Sequence, residues 1–463
     1  MKSFVLDGFA GGISDFDSKG IAGSFKFGSA LDIRKKVDSL TCQQALTDLT
    51  GYTFTALAKT IVSDDDGYLY FLCGDGKIIQ MDSDGDLSLV YTDTNGDITG
   101  GAQWYLDTGK RYLFWANATK LHCKELPGQS NWSDVDALSG YPKTNLTSSN
   151  WHTMKPVNGQ LLICNGRYLA LVGYDGSYTN DALDLIPMNV SKTILERNNY
   201  AIIGCEREDL LGEASLFMWD TYSTTWNNKK NLPTSEINTM IDTEIPLLQA
   251  GTKGGIYYSD FLNIIPILYI PGEGYYYPDA VTSDEGLALF GICGGSAIHP
   301  GVYSYGRQKK NSPLVLNLDY PFTAGDYIGS VYNFNGNVYI SYSHSSSFGV
   351  KKIDTANKAT GVYESLDLKS PINPNKPALW QAVHIITTPM VSGTSIGIKY
   401  RVNKSGSFVT AKLEDGSTTF SAVDETEAYF EVGADGKVFE VQATLTPTGN
   451  TSPEILSINP LFE

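Results

Sequence analysis

A chain of 463 residues is too long for one hydrophobic core, so two or more structural units are expected. Charged residues make up 18%, while 46 glycines and 28 tyrosines are high counts, the profile of an all-β protein with many turns and aromatic strands. The net charge of −17 excludes a partner that follows a nucleic-acid backbone, because such binding needs lysine and arginine to displace counterions. The opening residues MKSFVLDGFAGG contain no apolar segment of signal-peptide length. No run approaches the roughly 20 apolar residues of a membrane span; the longest, 264–270, contains a proline and has strand length.

Residues 1–50 are glycine-rich with singly spaced apolar residues, a composition that cannot bury enough surface to fold alone. An extended arm is expected, ordered by docking. Two acceptors stay open: its own chain, or a neighbouring subunit. The arm carries Gly11, Gly12, Ile13 and Ser14, then Gly20, Ser24 and Phe25, then Leu31, Asp32, Ile33 and Arg34, then Leu40 and Thr41. This order of GG-I-S, SF and LDIR elements resembles the opening of minor structural proteins of tailed bacteriophages. The resemblance covers roughly the first 45 residues as motifs and the rest only as an architecture, and it does not say which part of the virion is built. It implies a structural virion protein, assembled in the host bacterial cytoplasm and packed against other virion proteins in a symmetric multi-subunit assembly. It also implies that Gly11, Gly12, Ile13, Ser24, Phe25, Asp32, Ile33 and Arg34 dock on a partner.

From residue 51 to 370 the chain repeats. A short apolar run returns every 41 to 49 residues: GYLYFLC (67–73), RYLFWA (111–116), QLLIC (160–164), YAIIGC (200–205), EIPLLQA (244–250), LALFGIC (287–293) and NVYISY (337–342). Most copies follow a tight-turn pair such as Asp66-Gly67, Asn158-Gly159 or Asn335-Gly336, where glycine and asparagine supply the positive φ of two-residue hairpins. A period near 45 built from short strands is that of a four-stranded propeller blade, and seven copies predict a seven-bladed β-propeller. The fifth copy has Pro246 inside the run and no glycine turn, so it is expected at an edge or a bulge. Long polar insertions, above all 128–151, are expected to carry any binding function on the rigid ring. The tyrosine-rich loop 272–279, with Tyr275, Tyr276 and Tyr277, suits a surface-binding loop, or tyrosines packed between blades.

The proline-containing stretch 370–380 predicts a linker. Six strand patterns follow, with turns at Ser405-Gly406, Asp415-Gly416 and Asp435-Gly436, so residues 371–463 are expected to form the linker and a C-terminal β-sandwich. Such a sandwich also resembles one found in phage tail-associated proteins.

The sequence offers little chemistry. Of the five histidines, 122, 152, 299, 344 and 384, none lies in a nucleophile-elbow or HExxH context. Residues 63–70 resemble the Asp-box turn of sialidase propellers, with Tyr70 where that motif has tryptophan, but the arginine cluster of that family has no match. Residues 82–86, DSDGD, read as a hairpin turn. A weak Ca²⁺ site there is the one cofactor left open, since the glycine is not where a calcium loop needs it. Six cysteines, four of them ending the repeated run, read as reduced, buried and apolar. The expectation is a non-enzymatic virion protein in the tail or tail tip that scaffolds assembly and contacts the host surface, through a glycan or a receptor. Two alternatives stand: a head-attached decoration or fibre protein, and a carbohydrate-binding or glycan-degrading propeller.

Overall fold

The computed structural model describes every residue except 1, 15, 19, 35, 37, 127–131, 210, 253, 270–275, 294–298, 308–309, 370–373 and 375. Among the described residues there is no helix, and every element is a strand.

The first repeat sets the pattern. Strands Ala58–Ser63, Leu69–Cys73, Lys77–Met81 and Leu87–Thr92 form an antiparallel meander, each paired with the next. The first turn is built by Asp64. Its Oδ1 accepts the N–H groups of Asp66 (3.0 Å) and Tyr68 (2.9 Å), and its Oδ2 accepts the Tyr70 hydroxyl (2.9 Å). Gly67 takes a φ of +96°. The Asp-box resemblance thus marks a structural turn.

Six more meanders follow, here numbered II to VII. Their first strands are Gly100–Tyr105, Met154–Val157, Asn189–Arg197, Ile237–Asp242, Val281–Asp284 and Tyr327–Phe334. Each apolar run of the sequence is the second strand of its meander, hydrogen-bonded on both sides. It is also covered on both faces by neighbouring sheets. That is why it reads as a continuous apolar stretch and not as an alternation. The fifth run shows the same placement. Pro246 is the first residue of Pro246–Ala250, a second strand paired with both neighbours, so of the two expected placements the edge is corrected, while a bulge does lie in this ladder, between Ile237 and Thr239 of the partner strand. A proline at a strand's first residue withholds an N–H where the ladder has not yet begun.

Successive meanders share cores. Tyr70 and Leu72 of meander I pack with Leu113 and Trp115 of II. Phe114 of II packs with Ile163 of III, and Cys164 of III with Ile203 of IV. Leu216 of IV packs with Leu248 of V, Leu247 of V with Phe290 of VI, and Leu289 of VI with Ile340 of VII. Finally, Tyr339 and Val350 of VII share a cluster with Phe71 of I. The first strands touch in the same order, and Tyr327–Phe334 of VII lies against Ala58–Ser63 of I.

The remaining strands form two sheets around one further core. Ala378–Thr387 pairs with both Glu427–Gly436 and Ile455–Phe462. Val438–Thr446 pairs with Ser395–Val402 and with Gly361–Glu364. Trp380, fully buried, stacks on Phe439 with ring centroids 4.4 Å apart. Most of the expected linker, 370–373 and 375, lies outside the described residues. Its last part, Ala378 to Trp380, is already strand.

The N-terminal arm runs across all of this. Lys2–Ser3 and Leu6–Asp7 pair with Ile455–Phe462. Phe27–Ser29 lies between Val315–Pro321, the outer strand of meander VI, and Gly361–Glu364. Gln44–Asp48 supplies the fourth strand of meander VII by pairing with Ser347–Lys358. The residues expected to dock on a partner are therefore engaged within their own chain. Phe25 and Ile33 sit in the core beside Trp380. A Cβ on Gly11 would lie 2.2 Å from the Ser24 nitrogen, and one on Gly12 2.6 Å from the Leu316 carbonyl oxygen, so both glycines serve close backbone approach. Ile13 pairs in parallel with Phe25, and the Ser24 hydroxyl donates to the Gly11 carbonyl. The half-buried Asp32 donates its backbone N–H to the Thr41 carbonyl. Arg34 enters meander VI. Its Nη1 donates to Ser304 Oγ (2.7 Å) and faces Asp319 (3.5 Å), and its Nη2 donates to the carbonyls of Ser304 and Val315. Of the two acceptors left open for an arm that cannot fold alone, the contacts described are with its own chain.

Candidate functional site

The site begins with a backbone irregularity. In four first strands the register slips by one residue near the start, leaving Lys59, Lys192, Asn238 and Gly329 as the extra residue. A bulge re-aims its side chain away from the ladder. The next residue is Thr60, Thr193, Thr239 or Ser330 in turn. Three of these hydroxyls bind neighbouring chain: Thr60 donates to Asp279 Oδ2 (2.6 Å), Ser330 to the Asp279 carbonyl (3.2 Å) and Thr239 to the Pro278 carbonyl (2.7 Å).

Two bulge residues meet. Lys192 Nζ donates to Asn238 Oδ1 at 2.7 Å and to Glu236 Oε2 at 2.8 Å, and lies 3.3 Å from Glu206 Oε2. It also sits 4.8 Å from the centre of the Trp151 ring, whose Nε1 donates to the same Glu206 oxygen at 3.1 Å. Lys192 is 1% exposed. This cluster floors an open cavity of about 1180 Å³. Its walls are the segments entering the first strands of meanders III, IV and V, and the turns after their second strands. Residues 147–151, the end of the long polar insertion, line it together with Met188 and Arg207. A smaller cavity of about 240 Å³ is lined by the first strands of I, II, III, VI and VII, with Asp279 in its wall.

Of the tyrosine loop, the described residues Tyr276 and Tyr277 do not line the larger cavity. Tyr275 lies outside the described residues. Tyr276 is buried among Phe290 and Leu316, so its place as a surface contact is corrected. Tyr277 is half-buried and meets the Trp151 ring edge-on at 5.8 Å. The packing alternative weighed for these tyrosines describes both.

The histidines are held singly. His122 is buried between Asp136 (2.7 Å) and Asp93 (3.4 Å) and stacks on Trp115, whose Nε1 also donates to Asp93. His152 is fully buried, between Thr99 Oγ1 and the Thr147 carbonyl, and burial pushes its pKa down to about 4. His344 pairs with Asp326, His384 with Glu427, and His299 lies against Phe27. In the DSDGD turn the Asp82 carboxylate accepts the N–H groups of Asp84 and Asp86, as a hairpin turn requires. Among the described residues no group of three or more His, Cys, Asp or Glu side chains is placed to hold a metal ion. The six cysteines are free and buried, and burial pushes the Cys123 and Cys293 thiols up to about 12.

Sequence reasoning missed Lys192, Glu206, Glu236 and Asn238. The signal was present as a second repeat ahead of the apolar run: Lys59-Thr60-Ile61, Lys192-Thr193-Ile194 and Asn238-Thr239-Met240. A lysine opening a buried strand has to be re-aimed or paired.

No family model and no curated protein matches this chain. Solved structures do resemble it. A streptogramin B lyase superposes with a TM-score of 0.48 at 13% identity, covering 67% of this chain and 97% of the lyase. The WD40 β-propeller domain of Doa1 gives 0.47 at 14% identity, with the same coverage of 67% and 97%. The β-propeller domain of Cps50 (Swd1) from Myceliophteria thermophila gives 0.46 at 11% identity, covering 66% and 98%. At such identities the likeness concerns fold and says nothing of activity.

Proposed function

We propose that this chain is a non-catalytic structural protein of a tailed bacteriophage virion, placed in the tail or tail tip among other virion proteins. In this reading meanders I to VII are the blades of a closed seven-bladed β-propeller, and the two further sheets are a C-terminal β-sandwich. The N-terminal arm clamps one to the other. The observation that carries the reading is the arm itself. Its GG-I-S, SF and LDIR elements resemble those of phage structural proteins, and they are the residues that tie the two parts into one body: Phe25 and Ile33 in the core of the second part, Arg34 in meander VI. Ion pairs support the clamp. Lys26 of the arm and Arg401 bracket the buried Glu440 at 3.0 and 2.7 Å, and Lys404 bridges Asp17 of the arm to Asp367. A rigid body of this kind suits an assembly part that transmits position and not chemistry.

The test is immunogold labelling of purified particles with an antibody to residues 377–463. Gold at the tail or its tip is expected. Gold over the capsid would move the protein to head decoration. Particles without label, and without the chain in their mass spectra, would remove the virion reading.

A further inference from the structure

The cavity at the mouth of meanders III to V has a floor that the fold does not need. Burying an ammonium and two carboxylates costs desolvation that well-packed apolar residues would avoid. The same bulge in meander VII is filled by Gly329, so the backbone irregularity does not require a charge. We propose that this cavity binds a neutral oligosaccharide, with Glu206 and Glu236 accepting its hydroxyl groups.

The hydrogen-bond inventory selects that chemistry. Lys192, 1% exposed, donates to Glu236 and Asn238, lies 3.3 Å from the Glu206 carboxylate as an ion pair, and is covered by Trp151. Lys192 is therefore not the ligand's partner; it fixes the two carboxylates. Each of them meets Lys192 through Oε2. Among the described residues no hydrogen bond reaches their Oε1 atoms, and the two side chains keep 19% and 11% exposure. Such oxygens are charge-assisted acceptors, and they call for a ligand rich in donors.

Charge decides which donor-rich ligand. The lining holds three acids, Glu206, Glu208 and Glu236, and three bases, Arg167, Lys192 and Arg207. The rim arginines are partly committed, Arg167 to Asp184 and Arg207 to Asp209. A lining of zero formal charge gives neither a cation nor an anion an advantage. The whole chain, at −17, repels acidic polymers. Around the floor stand neutral hydroxyl and amide groups, among them Ser148, Asn150, Ser235 and Thr252, while Met188 supplies apolar contact. The volume exceeds that of a drug-sized site, about 300–1000 Å³, and has room for several sugar rings.

This inference goes beyond the proposed function by naming a ligand class, and it does not depend on the virion setting. The full-length chain is applied to an array of neutral oligosaccharides and of oligosaccharides carrying uronate or sialate. Binding confined to neutral members is expected, with E206Q and E236Q each weakening it at least tenfold. Ser148→Trp, on the exposed rim and outside the floor network, should abolish binding with an unchanged melting temperature; it decides the matter if a floor variant fails to fold. An array with no neutral member retained, a preference for acidic members, or binding that survives Ser148→Trp would each overturn the proposal. Incorporation of the Ser148→Trp chain into particles separates the two ideas, because a failed glycan site leaves incorporation intact.

Discussion

Arg34 shows what one side chain contributes when it crosses between parts of a fold. Its guanidinium is buried with Asp319, whose carboxyl is pushed up by burial against the pull of Arg34. Truncating one partner of such a pair leaves the other charge buried, at a cost of about 3–5 kcal/mol. Arg34→Ala is expected to lose that much stability in chemical denaturation. A loss under 1 kcal/mol would mean that the arm is only loosely seated. His152 behaves oppositely, being buried neutral. Its folded pKa of about 4 lies below the ordinary 6.5, so the unfolded chain takes up the proton first. Its contribution is intact above pH 6.5 and falls as the pH drops toward 4, by about 3 kcal/mol over that window. His152→Gln should therefore cost stability at pH 7, and the gap to the parent should narrow near pH 4.5. The buried thiols give a third expectation. Native chain should resist a thiol reagent such as Ellman's, and denatured chain should titrate all six cysteines.

At the scale of elements, the second strands are the legible ones. Burial on both faces leaves only apolar residues acceptable, and the Asn-Gly and Asp-Gly turns ahead of them mark the register, so the seven runs stand out unaided. The first strands are harder to read. Met154–Val157 and Val281–Asp284 have only four residues each, and the bulges at Lys192 and Asn238 break the alternation a strand is recognised by. The candidate floor was illegible for that reason: its four side chains come from two repeats, Lys192 and Glu206 from meander IV and Glu236 and Asn238 from meander V, and meet only after the sheets pack. Gln44–Asp48 was hidden for another. Its partner strand, Ser347–Lys358, lies about three hundred residues away, and no local pattern announces the pairing. Leu46→Pro should remove this strand from the ladder. Faster proteolytic cleavage within 347–358, together with a lower melting temperature, is the expected outcome. Unchanged protection would show that meander VII stands without it.

For the whole molecule, the sequence of pairings in time follows from the pairings in space. Meanders I to VI draw nearly all their strand partners from their own repeat, so each can form as it leaves the ribosome. The arm cannot. Lys2 and Ser3 pair with Phe462 and Leu461, the far end of the chain, and Gln44–Asp48 must wait for meander VII. Residues made ahead of the seven meanders are thus among the last to be placed. Contacts of such long sequence separation are slow to form, and unpaired strand edges stay exposed meanwhile. Biogenesis of this protein should be limited by a late locking step, during which the chain depends on low concentration or on a chaperone to stay out of aggregates.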